Sequence, residues 1–413
     1  MASGLLAEAR WIPKGVERAS TGRFALWLTP WAALLALGVY AGGLCLYYGL
    51  NQTNMDNRFA FGLWIFLDLS IIALGAGAFF TGFLVYILGR TELKPILNTA
   101  VIVGFVCYSG AVAALMVDVG QPLRAWFTFV HPNVHSMLTE ITFCISCYLL
   151  VLILEYIPVL LSHHHLRKVP SFLAFERRMH TKVVPALAGV GAVLSFFHQG
   201  SLGGLYGVLR GRPFAFREGF SIWPSTFFLF VLSAIAAGPS FLMLVTAAAE
   251  KMTGRRLVEP DLLRRLGFLS SVLLAAYVAA KSVDTLIWLN VTSPSRGFAP
   301  WEYYEFEPFG WALLFIEIVI FGLLPAGLLL YGRTVGKRVW LLTGAALACG
   351  GVLLNRLVLT IQTLALPTLA FDDFLHYVPS WQEVATFGGV IAYGVIVYSL
   401  SYRYLPLFGE EKK

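Results

Sequence analysis

Charge is scarce in this chain. Asp, Glu, Lys and Arg make up 13% of its 413 residues, about half the ~25% of a soluble domain. Hydrophobic residues make up 58%, so too little polar surface remains to coat a globule in water. Cysteine is sparse too. Cys45, Cys107, Cys144, Cys147 and Cys349 all fall inside apolar stretches, which argues against a disulfide framework and against a cysteine-held iron–sulfur cluster. Cys144 and Cys147 form a CxxC on one helix face, but no second pair accompanies them and packing is the simpler role. Most of the eight histidines lie in polar loops, and His198 alone sits well inside an apolar run. A buried b-type haem usually takes two axial histidines, so neither haem nor another resident redox cofactor is expected. The chain also lacks a phosphate-cradling glycine loop, a low-complexity tract and a soluble domain. Nothing points to nucleic acid.

Apolar length is what the chain has in abundance. A helix needs roughly 20 apolar residues to cross the hydrocarbon core. Runs of that kind lie near 26–50, 62–89, 96–118, 137–161, 183–207, 222–250, 264–290, 308–331, 338–364 and 381–405. The expected fold class is all-α, a polytopic membrane protein of about ten transmembrane helices. It would form one transmembrane domain over 26–405, between an N-terminal segment (1–25) and a short tail (406–413). The first run follows Arg10, Lys14, Arg18 and Arg23 and has no small-residue cleavage site after it, so it reads as a retained helix. The many glycines, as in Gly75-Ala76-Gly77 and Gly350-Gly351, suit close helix–helix packing.

Basic residues are strongly one-sided. Of the 30 Lys and Arg, 22 belong to the two termini and the turns near 90–95, 162–182, 251–265 and 332–338. Six belong to the opposite loops, and Lys281 and Arg356 lie within runs. The positive-inside rule makes the richer side cytoplasmic and places both termini there. The outward loops have another character. The loop 119–136 carries Trp126, Phe127 and Phe129; the loop 291–307 carries Trp301, Tyr303, Tyr304 and Phe306 beside Glu302, Glu305 and Glu307. Such rings suit either an interfacial aromatic belt or a docking face for a protein outside the membrane.

Ionisable groups inside spans are costly and so are functional candidates. Alternating the helices puts Asp68, Asp118, Glu140, His198, Lys281, Asp284, Arg356 and Glu383 in the outer half. Glu317 falls nearer the middle, Glu155 on the inner side and Glu250 at the inner rim. Lys281 and Asp284 are three apart and are spaced to pair. Arg356 is deep enough to require a partner. A faint repeat accompanies this placement: Lys94-Pro95 precedes Asp118 as Glu259-Pro260 precedes Asp284, and Glu140-Ile141 and Glu317-Ile318 follow. It suggests two four-helix units, helices 2–5 and 6–9.

Carboxylates, a histidine and cations in a lipid-bounded niche suit proton-coupled chemistry on a lipid-soluble substrate. Quinones fit, because their reduction takes two electrons and two protons, and buried Glu or His can deliver protons. Electrons would come from a partner docked on the outer face. Two other readings stand beside this one: an ion or proton transporter working by alternating access, and a passive membrane anchor.

Six segments carry a resemblance. They are Gly62-Leu-Trp-Ile-Phe-Leu-Asp68, Asp118-Val-Gly120, Val134-His-Ser-Met-Leu-Thr-Glu140, His198-Gln-Gly-Ser-Leu-Gly203, Asn355-Arg356 and Tyr377-Val-Pro-Ser-Trp-Gln-Glu383. In this order they resemble the NrfD/polysulfide-reductase-C family, in its longer ten-helix branch. That branch holds membrane subunits of group 2 nickel–iron hydrogenase, menaquinone reductase and the Dsr complex. The resemblance implies a cofactor-free, quinone-interacting subunit that anchors a periplasmic iron–sulfur protein in the inner membrane. Further periplasmic redox subunits would follow, such as a molybdopterin-type protein, a hydrogenase or a multihaem cytochrome c. The implied quinone pocket is near the periplasmic side, with Asp68, Tyr108, Glu140 and His198. Glu140, His198 and Asp118 are the expected catalytic residues. Asp284, Lys281, Glu317, Arg356 and Glu155 form an expected proton relay.

Overall fold

The structure is a computed structural model that describes residues 12–13, 18–209, 211–212, 214–220, 222–305, 310–365 and 375–408, without the side chains of Glu302 and Tyr303. Ten helices among these residues are long and apolar enough to cross a membrane. They are α1 (Thr21–Tyr48), α2 (Leu63–Tyr86), α3 (Thr91–Asp118), α4 (Met137–Leu161), α5 (Pro170–Gly207), α6 (Ser225–Thr253), α7 (Pro260–Arg296), α8 (Trp311–Val335), α9 (Arg338–Ala365) and α10 (Trp381–Tyr404). The one sheet among the described residues is the ribbon β1 (Gly219–Phe220) with β2 (Trp223–Pro224), which leads into α6. In hydrocarbon every backbone N–H and C=O must be satisfied within the chain, which leaves helices as the spanning form.

Two helices outrun the expected spans. α5 begins at Pro170, because the basic stretch Pro170–Arg178 joins the span through a π turn at Met179–Val183. Pro170 suits a first turn, where its missing N–H has no partner to lose. α7 continues past Ile287 through a second π turn, Trp288–Thr292, to Arg296. Further π segments occur in α8 at Ile316–Leu323 and in α9 at Val358–Gln362.

α2 packs on α3 and α5, and α4 on α3 and α5. α6 packs on α7 and α9, and α8 on α7 and α9. α6 joins the two groups by lying against α2 and α5, while α1 and α10 pair with each other beside α3. Lipid tails are as apolar as the helices, so association relies on close packing and on bonds between helices rather than on burial from water. Small residues supply the closeness. α2 kinks at Ala76 between Gly75 and Gly77, and a Cβ on Gly77 would sit 2.8 Å from the carbonyl oxygen of Gly238 in α6. α6 and α7 are pinned by the Ser240–Ser270 hydroxyl pair at 2.6 Å.

Each end of the bundle is tied by a carboxylate. At the basic end Glu250 bonds Arg338 at 2.6 Å and accepts from the amides of Leu257 and Val258. At the other end Glu383 is fully buried and closes a capping box with Ser380. Its carboxylate also accepts from the amide of Asn54, 3.1 Å, and from the Tyr377 hydroxyl. Tyr377 in turn accepts from the amide of Leu63 at 2.8 Å, which anchors the first turn of α2. Burial, and the bond to Glu383, push the Tyr377 phenol up, so it stays protonated and donates.

The aromatic loops divide. Trp126, Phe127, Phe129 and Trp301 are exposed, with Trp126 at 60%, whereas Tyr304 is buried against Phe214 and Trp288. Phe306 and Glu307 lie outside the described residues.

The α2–α6 approach generates a contrast. Gly77→Ala should lower the thermal stability of the purified protein by about 1–3 kcal/mol through overpacking. Gly327→Ala in α8, whose Cβ would meet nothing within 4 Å, should be neutral or slightly stabilising. Equal melting curves for both variants would contradict the close-packing role.

Candidate functional site

Two polar groups occupy the non-basic half of the bundle, and they differ in how well their atoms are satisfied. The first lies among α2, α3, α4 and α5. His198 of α5 is fully buried, and neither ring nitrogen has a hydrogen-bond partner. The Ile141 backbone approaches the ring without meeting hydrogen-bond geometry. The ring of Tyr108 stands 5.7 Å from that of His198. The Tyr108 hydroxyl pairs with Ser195 at 2.8 Å and receives a longer bond, 3.4 Å, from Gln199. Gln199 uses its amide nitrogen on the Ile72 carbonyl, 2.8 Å, and its oxygen is left without a donor. Asp68, one helix over, is buried with Oδ1 unpartnered, and so is Oδ1 of Asp118. The two carboxyl groups are close enough to repel each other's charge, and Asp118 also feels Glu383.

Glu140 stands at the flank of this group. It is half-buried, and its carboxylate accepts from the Trp223 indole of β2 at 3.4 Å. The Ser201 hydroxyl reaches the same carboxylate while bonding back to Phe197 at 2.7 Å. His198 and Glu140 make no direct bond: the imidazole points inward toward Tyr108, the carboxylate outward toward Trp223. Neither of the two cavities described in the structure is lined by Glu140, Asp118 or His198.

The second group joins α7, α8, α9 and the loop before β1, and it is knitted together. Lys281 and Asp284, three residues apart and spaced to pair, instead turn to different partners. Asp284 bonds Arg217 at 3.0 Å and the Ser225 hydroxyl, while Lys281 lies 3.6 Å from Glu317 of α8. The neighbours of α7 decide this. Arg217 brings a fork already held by the carbonyls of Phe214 and Phe216, and Glu317 faces Lys281 from α8. Asn355 donates to Glu317 and accepts from Arg356 at 2.6 Å. Arg356, fully buried, also reaches Ser233 at 2.8 Å and stacks over the Phe230 ring. Its partners are thus polar and aromatic groups, with a carboxylate one step away through Asn355. Beside them is a cavity of about 30 Å³, lined by Arg217, Lys281, Glu317, Asn355, Tyr304 and apolar neighbours. That is room for about one or two waters. Burial pushes the Tyr304 phenol at its edge up to about 12. π segments lie at or beside Glu317, Arg356 and Asp284, as π turns often do at functional sites.

Glu155 belongs to neither group. It is buried in α4 on the basic side of Tyr148, with Tyr86 of α2 nearby, and so is set apart from Lys281, Asp284, Glu317 and Arg356. Sequence reasoning missed Arg217, Trp223 and Ser195, and met Gln199 only as part of the segment that begins at His198. Arg217 had one signal, since its loop carries three arginines where the other non-basic loops carry at most one.

The Arg217–Asp284 pair is buried on both sides, so removing one charge strands the other. Arg217→Gln should cost about 3–5 kcal/mol of stability, and Arg217→Gln with Asp284→Asn markedly less. A double variant as unstable as the single one in thermal unfolding would show that the charges do not pair.

The polysulphide reductase NrfD family model matches residues 51–367. The chain is 46% identical over 411 residues to the menaquinone reductase integral membrane subunit of Nitratidesulfovibrio vulgaris, covering 98% of this chain and 97% of that one. It is 23% identical to a selenate reductase subunit of Mesobacillus selenatarsenatis, over 94% of this chain and 95% of that one. It is also 23% identical to the probable Ni/Fe-hydrogenase 2 b-type cytochrome subunit of Escherichia coli, over 89% and 88%. The shared length takes in every helix that contributes to the two polar groups, and this chain belongs to the polysulphide reductase NrfD family.

Proposed function

We propose that this chain is the quinone-interacting membrane subunit of a multisubunit respiratory oxidoreductase, with menaquinone as the exchangeable substrate. One observation carries the reading. The unsatisfied buried atoms of His198, Asp68, Asp118 and Gln199 gather within α2, α3 and α5, beside a carboxylate that reaches the lipid-facing flank. Buried polar atoms without partners ask for a ligand or water, and a quinone brings two carbonyl oxygens and a need for two protons. The close relative named as a menaquinone reductase subunit supports the same substrate.

In this reading Glu140 exchanges protons with the quinone at the flank, and the Trp223 indole holds its carboxylate in place. His198 donates to or accepts from a quinone oxygen, its ring set against Tyr108. Asp118 and Asp68 each leave a buried Oδ1 free to bond a ligand or water. No haem takes part: His198 is the one histidine deep in a span among the described residues, and a b-type haem usually takes two.

The basic end faces the cytoplasm, both termini included, and the membrane is the bacterial inner membrane. The quinone group then lies toward the periplasm. The exposed Trp126, Phe127, Phe129 and Trp301 offer a surface there to an iron–sulfur, ferredoxin-like partner, and through it to a molybdopterin-type protein, a hydrogenase or a multihaem cytochrome c. Lys281, Glu317, Asn355 and Arg356, with their water-sized cavity, form a proton relay separate from the quinone group. Glu155 would serve the α2–α5 side alone.

Glu140→Gln in the assembled complex should lower quinone turnover by about 10²-fold or more while subunit assembly, read by size-exclusion chromatography, persists. Unchanged turnover would remove Glu140 from the mechanism. Glu317→Gln should leave detergent turnover near wild type but abolish proton uptake in oriented liposomes; coupled uptake at the wild-type ratio would exclude the relay. Proton flux through the isolated chain, with neither quinone nor partner, would favour a transporter instead.

A further inference from the structure

A second feature sits apart from both polar groups. Between the α1–α10 pair, which packs on α3, and the helices α2 and α6 lies a cavity of about 1190 Å³ that reaches the basic end. That exceeds the ~300–1,000 Å³ usual for small-molecule sites. Its walls are apolar and aromatic, with Trp27, Trp31, Phe66, Phe241 and Phe387 among them. Along α10 the lining runs from Phe387 to Arg403, which at ~1.5 Å per residue is about 24 Å of helix. This is deeper than half of the ~30 Å hydrocarbon core, and an extended acyl chain fits along it.

The basic end of the cavity is different in kind. Arg18, Arg23, Arg255 and Arg403 line it, and no Asp or Glu is among the described lining residues. Arg18 lies 4.3 Å over the Tyr402 ring, and Arg403 lies 4.4 Å over the Phe24 ring while donating to the Ala19 carbonyl at 2.9 Å. A long greasy slot under a cluster of positioned arginines, at the depth of the headgroups, is complementary to one kind of molecule. The geometry points to a site for an anionic glycerophospholipid of the leaflet at the basic end, its phosphate among Arg18, Arg23, Arg255 and Arg403 and its acyl chains between the α1–α10 pair and the helices α2 and α6. A neutral quinone has the tail for the slot but nothing for the arginines, so charge selects the phospholipid. Basic pockets between transmembrane helices bind acidic headgroups for the same reason. The site requires only the charge asymmetry and the cavity, and stands whether or not quinone reacts at Glu140.

The test is native mass spectrometry of the purified full chain, titrated with phosphatidylglycerol and with phosphatidylcholine of matched acyl chains. Phosphatidylglycerol should be retained at one site and phosphatidylcholine should not. Arg23→Gln, at the exposed end of the cluster, should weaken phosphatidylglycerol by about fivefold, with the lipid-free melting temperature unchanged. Ala248→Trp, which fills the slot, should abolish retention in a protein of unchanged helix content. Equal retention of the two lipids by the wild-type chain would overturn the proposal without reference to any variant. So would a short-chain menaquinone analogue that displaces phosphatidylglycerol mole for mole, which would make the slot a quinone channel.

Discussion

A polar atom in hydrocarbon must find its partner inside the protein. That requirement explains the distribution of bonds here. The group on α7, α8 and α9 is almost fully paired: Asp284 with Arg217 and Ser225, Lys281 with Glu317, Asn355 bridging Glu317 to Arg356, and Arg356 on to Ser233. The group on α2, α3 and α5 is not, and leaves both nitrogens of His198 and one oxygen each of Asp68, Asp118 and Gln199 without bonds. One membrane thus holds a closed network and an open one. A closed network suits holding helices in register or passing a proton between fixed sites. An open one suits a molecule that arrives, is bonded and leaves.

The open group is held from its rim rather than from its centre. Glu383 gathers the amides of Asn54 and Ser380 and the hydroxyl of Tyr377, and Tyr377 takes the first amide of α2. These bonds fix where α2 begins relative to α10, and with it the height of Asp68. The close approach of Gly77 and Gly238 fixes α2 against α6 farther down. Between those two fixed points the unsatisfied side chains have little freedom to relax toward one another. The structure tolerates their cost at that place, as proteins do where strain or desolvation is retained for use.

Much of the site was legible as a set of residue types and little of it as a set of contacts. A charge in an apolar run announces itself, so Asp68, Asp118, Glu140, His198, Glu317 and Arg356 stand out on cost alone. Which of them meet depends on how each helix is rotated about its axis and on what loops bring in from outside the spans. Lys281 and Asp284 share a helix face, yet Arg217 from a loop and Glu317 from α8 take them in different directions. Glu155 groups with the relay residues by type, but its helix places it beneath Tyr148. The Ser195 hydroxyl and the Trp223 indole carry no charge penalty, so nothing in the sequence singles them out.

By itself the order of residues determined the ten spans, the side that gathers the basic residues and the family, because hydropathy and loop charge are read one segment at a time. Tertiary structure alone decided that the ionisable groups form two networks, one paired but for Nε of Arg356 and one open. It also decided that a cavity with arginines at its basic end remains between the α1–α10 pair and α2 and α6. Those outcomes follow from helix packing, and packing depends on small residues and side-chain shapes meeting across hundreds of positions, a relation that no single segment carries.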